Sequence, residues 1–117
     1  RTGYAAAASA LERAAGLSAA PGDATRRAIA GSQLAMAAGR TDWALALLDR
    51  ADPAAATPGE VAHLRGMLLT MIGDLDRAYQ LLVRTAREIA AHDPARAAVM
   101  LSDAALTRPM AGDCRTG

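Results

Sequence analysis

Gly39–Arg50 reads GRTDWALALLDR and Gly73–Arg84 reads GDLDRAYQLLVR: one phrase written twice. Superposed, the two pair Gly39 with Gly73, Asp42 with Asp76, Ala44 with Ala78, Leu47 and Leu48 with Leu81 and Leu82, and Arg50 with Arg84, all in one register. Upstream the same register pairs Leu34 with Leu68 and Ala28 with Ala62, making 8 identities in the 24 positions from 28 to 51. Self-similarity at a period of about 34 residues, with apolar positions recurring at helical spacing, marks an array of helical hairpins. One such hairpin cannot bury its apolar face alone, so the units stack and offer an extended surface rather than a closed catalytic pocket.

Composition points the same way. The 117 residues are enough for one domain, and 52% are hydrophobic, but 32 of them are Ala, with no Phe, one Trp and two Tyr. Ala is the best helix former, whereas sheets favour the β-branched and aromatic residues scarce here. The expected class is all-α. All 13 basic residues are Arg and none is Lys, a bias read as codon usage rather than selection for phosphate binding. Net charge is +1, and Asp49/Arg50, Asp76/Arg77 and Arg87/Glu88 alternate in sign. On that pattern no basic stripe is expected, and the chain by itself is not expected to bind duplex DNA. No apolar run is long enough for a membrane span, and the start lacks the order of charged, apolar and small residues found in a leader. The lone Cys114 cannot form an internal disulfide, which makes the cytoplasm the expected compartment.

Apolar spacing and boundary residues predict helices near 4–16, 24–38, 42–51, 58–72, 75–91 and 94–107, with turns or loops at 17–23 and 52–57. Val61, Leu64, Leu68, Met71 and Ile72 share one face, as do Leu75, Ala78, Leu82, Ala86 and Ile89; Trp43, Leu47, Leu48 and Ala51 form a shorter stripe. Thr57-Pro58-Gly59-Glu60 reads as a capping box, Asp93-Pro94 as a helix start, and Asp23 and Asp74 as N-caps. Gly39 and Gly73 sit where a helix ends in a left-handed residue. The whole chain, 1–117, reads as one repeat module with units near 4–16 (partial), 24–51, 58–91 and 94–117 (partial). Ala8, Leu11 and Ala15 echo Ala44, Leu47 and Ala51, and Gly112-Asp113 echoes Gly73-Asp74, so both ends read as cut from a longer array. That reading allows association through the cut ends.

The phrases AAGRTDWALALLDRA (37–51), LRGMLLTMIGDLDRAYQLLVRTAREIAAHDP (64–94) and PMAGD (109–113) resemble the helical-repeat region of large ATP-binding LuxR-type transcriptional regulators. That resemblance covers nearly the whole chain and is one of repeat style. It implies a tetratricopeptide-like α-α superhelix lying between a nucleotide-binding module and a DNA-binding helix-turn-helix. It implies a non-catalytic sensor or interaction module. The alternative is a generic tetratricopeptide scaffold of another multidomain protein. Leu and Ala replace the aromatic residues usual in such repeats, and the closing Pro is displaced to Pro53 and Pro94. Neither G-x-x-x-x-G-K-[ST] nor a recognition helix occurs in the chain.

No catalytic constellation is legible. His63 and His92 lie far apart in the chain, with Cys114 beyond both, unlike the close ligand pairs of zinc sites. The pairs Asp74/Asp76 and Asp49/Asp52 sit at helix ends, where capping explains them more simply than acid–base chemistry. No serine lies in a nucleophile motif. The expectation is no enzyme, no metal and no cofactor. Ser32 and its repeat-mate Gly66 are read as sites of close helix packing, Trp43 as half-buried, and Met36, Met67 and Met71 as core filler. In tetratricopeptide-like stacking the first helix of each pair lines the concave side. This places Arg26, Gln33, Met36, Glu60, His63, Met67 and Thr70 on a surface for a protein segment or small effector.

Overall fold

Every stretch of helical periodicity folds as a helix. The computed structural model describes residues 2–17 and 21–108, and among these are six α-helices and no strand. They are α1 (Thr2–Leu17), α2 (Pro21–Ala37), α3 (Thr41–Leu48), α4 (Glu60–Met71), α5 (Leu75–Ile89) and α6 (Pro94–Ala105), with a 3-10 turn at Pro53–Ala55. The Gly-Asp phrase at 112–113 and Cys114 lie outside the described residues. The chain forms two compact units, residues 1–61 and 62–117.

The repeated phrase folds as a repeated turn. Gly39 and Gly73 have φ of 80° and 85°, a left-handed conformation that Gly adopts without a Cβ penalty. The Gly39 N–H donates to the Met36 carbonyl (3.0 Å) and the Arg40 N–H to the Ala35 carbonyl (2.9 Å). One repeat on, Gly73 donates to Thr70 (3.1 Å) and Asp74 to Leu69 (2.9 Å). This pair of bonds is the Schellman closure, which satisfies carbonyls that a helix end otherwise leaves open. The next helix then starts at once, with Ala44 N–H on the Arg40 carbonyl and Ala78 N–H on that of Asp74.

In the first unit α2 packs against both α1 and α3. Its core is made largely of small side chains: Ala8, Ala28, Ala35 and Ala44 are buried with Ile29, Leu47 and Leu48. Ser32 is fully buried and its Oγ donates to the Ala44 carbonyl at 2.8 Å, tying α2 to α3. In the second unit α5 packs on α6 around Leu82, Ala86, Ile89, Ala97, Met100 and Ala104. There the repeat-mate of Ser32 is Gly66, and a Cβ placed on it would lie 2.5 Å from Leu82 Cδ2. A side chain at that point would have to displace Leu82.

Several local expectations need correction. Met71 and Ile72 are 55% and 51% exposed, because α4 ends at Met71 and Ile72 already belongs to the Schellman turn, out of helical phase. Met67 is exposed too, so neither it nor Met71 fills the core. Leu75, the first residue of α5, is 40% exposed for the same end-of-helix reason. Asp23 lies inside the first turn of α2 rather than capping it, since Pro21 starts the helix with its preset φ. The capping box is half formed. The Thr57 N–H reaches Glu60 Oε1 (3.3 Å), but Gly59 at φ 84° delays the start of α4 to Glu60. Asp93 caps α6 through the Arg96 N–H (3.0 Å), as expected. Asp74 occupies the N-cap position of α5 without a side-chain cap bond, and pairs with Arg77 instead.

Candidate binding surfaces

The first unit contains Arg26, Gln33, Met36 and Glu60 of the residues expected on a concave face. Arg26 on α2 and Glu60 at the start of α4 are brought together, Nη2 to Oε1, at 2.5 Å. They lie 34 residues apart in the chain, the spacing at which the sequence phrase recurs. Gln33 is exposed and Met36 is half-buried. In the second unit His63, Met67 and Thr70 follow one face of α4, but two of them are engaged. His63 Nε2 lies 2.7 Å from Asp103 Oδ2 on α6, and the Thr70 hydroxyl donates to the Gly66 carbonyl of its own helix (2.8 Å). Around His63 a hollow of about 320 Å³ is lined also by Asp93, Ala95, Arg96 and Val99.

A second arrangement in the first unit involves Glu12, which no sequence motif singles out. Trp43 is half-buried, as expected, and its indole Nε1 donates to Glu12 Oε1 at 3.3 Å. Arg50 Nη2 lies 3.3 Å from Glu12 Oε2. One carboxylate on α1 is thus held by two residues, one at the start of α3 and one just past its end. At the same helix start Arg40 lies over the Trp43 ring, 5.6 Å from its centroid, and 3.5 Å from Asp42. The Asp42 carboxyl is held below its ordinary range, chiefly by a hydrogen bond from the Trp43 backbone N–H and then by the Arg40 charge.

On α5 the structure departs from the expectation of scattered arginines. Ala78, Leu82, Ala86 and Ile89 turn inward. Opposite them Arg77, Gln80, Arg84 and Arg87 recur at i, i+3, i+7 and i+10, a single exposed stripe about 15 Å long. Two hollows flank it and share Gln80 and Arg84. One, of about 290 Å³, is lined also by Arg65, Leu69, Arg77 and Leu81. The other, of about 500 Å³, is lined by Tyr79, Val83, Arg87 and Glu88. Arg108 stacks over Tyr79 at 4.3 Å and pairs with Asp76 at 2.9 Å. Counting arginines along the chain hides this stripe; projecting α5 onto a helix reveals it.

Among the described residues no group of three or more His, Cys, Asp or Glu converges as metal ligands would, and no helix is long and apolar enough to cross a membrane. No protein family, curated protein or solved structure matches the chain.

Proposed function

We propose that the chain is a non-catalytic helical-repeat interaction module, stacked as a tetratricopeptide-like superhelix and serving as the sensor or partner-binding region of a large LuxR-type transcriptional regulator. The observation that carries this reading is the Schellman turn at Gly39 repeated at Gly73, each copy followed at once by a second helix. The Arg26–Glu60 pair supports it, because first helices of successive hairpins bring such equivalent positions side by side. In that arrangement Arg26, Gln33, Met36, Glu60, His63, Met67 and Thr70 line the concave side. A bound protein segment or small effector there shifts the packing of the array and so the activity of the flanking domains. DNA contact belongs to another domain of the cytoplasmic parent.

The test is to read the gene on both sides of this segment. A G-x-x-x-x-G-K-[ST] motif upstream and a helix-turn-helix downstream are the expected result. Finding neither overturns the regulator assignment and leaves a repeat scaffold of some other multidomain protein.

A further inference from the structure

We infer that the outer stripe of α5 is a docking site for an acidic, amphipathic peptide segment of a partner protein. Arg84 and Arg87 take its carboxylates, and the Tyr79/Val83 hollow takes an apolar side chain. This partner belongs to the interaction module proposed above and rests on that reading only in treating the chain as a binding surface.

The repeat register supplies the first ground. Arg84 is the repeat-mate of Arg50, and Arg77 of Trp43. In the first unit those two positions grip one carboxylate, that of Glu12, carried on a helix. In the second unit Arg84 has no acidic partner among the described residues, nor has Arg87. Arg77 holds Asp74 at 3.3 Å through a guanidinium whose side chain is 75% exposed, so that pair is weak and exchangeable. The same register that binds a carboxylate in one hairpin is therefore presented open in the other.

Charge complementarity selects the occupant. Guanidinium groups bind carboxylates in a planar fork, and three arginines on about 15 Å of helix match acidic residues repeated over three turns. The flanking hollow adds Tyr79 and Val83, apolar surface that an acidic segment with Leu or Phe between its carboxylates covers. Duplex DNA fits poorly, because three arginines release too few counterions for useful affinity.

The test uses the full 117-residue chain and fluorescence anisotropy. The probe is a labelled peptide of about four helical turns with Glu and Leu at i, i+3 and i+4 spacing. Its controls are the same peptide with Gln for Glu, and a labelled DNA duplex of similar length. The expected result is binding of the Glu peptide that weakens with salt and falls about tenfold in Arg84→Gln/Arg87→Gln, two exposed charge pairs being lost. Arg84→Lys/Arg87→Lys should retain part of the affinity, and all variants should keep the wild-type circular dichroism melt because both side chains are exposed. Absence of binding overturns the inference, as does equal binding of the Gln peptide or no effect of the double variant. Tighter binding of the duplex overturns it in favour of nucleic acid. A double variant that changes sedimentation of the free protein overturns it in favour of a second copy. None of these failures bears on the flanking motifs that test the regulator assignment.

Discussion

The α2–α3 and α4–α5 hairpins close with the same two hydrogen bonds on a glycine at φ near 80°, yet their inner seams and outer faces differ. Along the seam, α2 and α3 are joined by a hydroxyl, Ser32 to the Ala44 carbonyl, whereas α4 sets the bare Gly66 against Leu82. On the outer face, Trp43 and Arg50 are occupied by Glu12, while the matching α5 stripe carries Arg77 and Arg84 into solvent. A turn can thus be copied by a few backbone bonds. What surrounds it is set by side chains that are free to diverge between copies.

The inner seam gives the largest expected effect. Leu82→Ala should destabilise the chain by about 2–5 kcal/mol in denaturant titration, since Leu82 is fully buried in the second core. A loss under about 1 kcal/mol would mean that Leu82 is not core. The double variant Gly66→Ala/Leu82→Ala should cost less than the sum of its single changes, because truncating Leu82 makes room for the new methyl.

Next comes the exchange of repeat-mates. Gly66→Ser should cost about 1–3 kcal/mol by overpacking against Leu82, while the reverse change, Ser32→Gly, should cost about 1 kcal/mol through the lost hydrogen bond and greater chain freedom. A Gly66→Ser protein as stable as wild type would show that the two seams are interchangeable after all.

The shared turn is probed by Gly39→Val and Gly73→Val. Beyond the adjoining residues no atom lies within 4 Å of a Cβ at either position, so only the backbone conformation is at stake. Each should lose about 1–2 kcal/mol, and the two losses should match. Unequal melting shifts would separate the turns that the geometry equates. The smallest effect is expected from Arg77→Ala, within about 0.5 kcal/mol, because its ion pair with Asp74 is exposed. A loss above about 1 kcal/mol would mean that this guanidinium is engaged as Trp43 is in the other hairpin.

Helix number and class, the two glycine caps, the Asp93 cap, the packing role of Ser32 and Gly66 and the half-burial of Trp43 were all legible in the chain. They depend on short-range physics: apolar period, a left-handed residue, a carboxylate just ahead of the amide it caps. Where helices ended was less legible, as Met71, Ile72 and Leu75 show, because helical phase is lost within one turn of a cap. The α5 stripe is written in the spacing Arg77, Gln80, Arg84, Arg87, but is masked in linear order by Asp76 and Glu88, which flank it on the helix.

By itself, then, the sequence determined an all-α chain with a repeated glycine turn, since caps and periodicity act between residues at most a few positions apart. Only the tertiary structure decided that Glu12 meets Trp43 and Arg50, that His63 meets Asp103, that Arg26 meets Glu60, and that a side chain at Gly66 would have to displace Leu82. Each of those depends on how closely two helices approach. That distance is set by the summed volumes of side chains remote in the chain, and no local pattern encodes it.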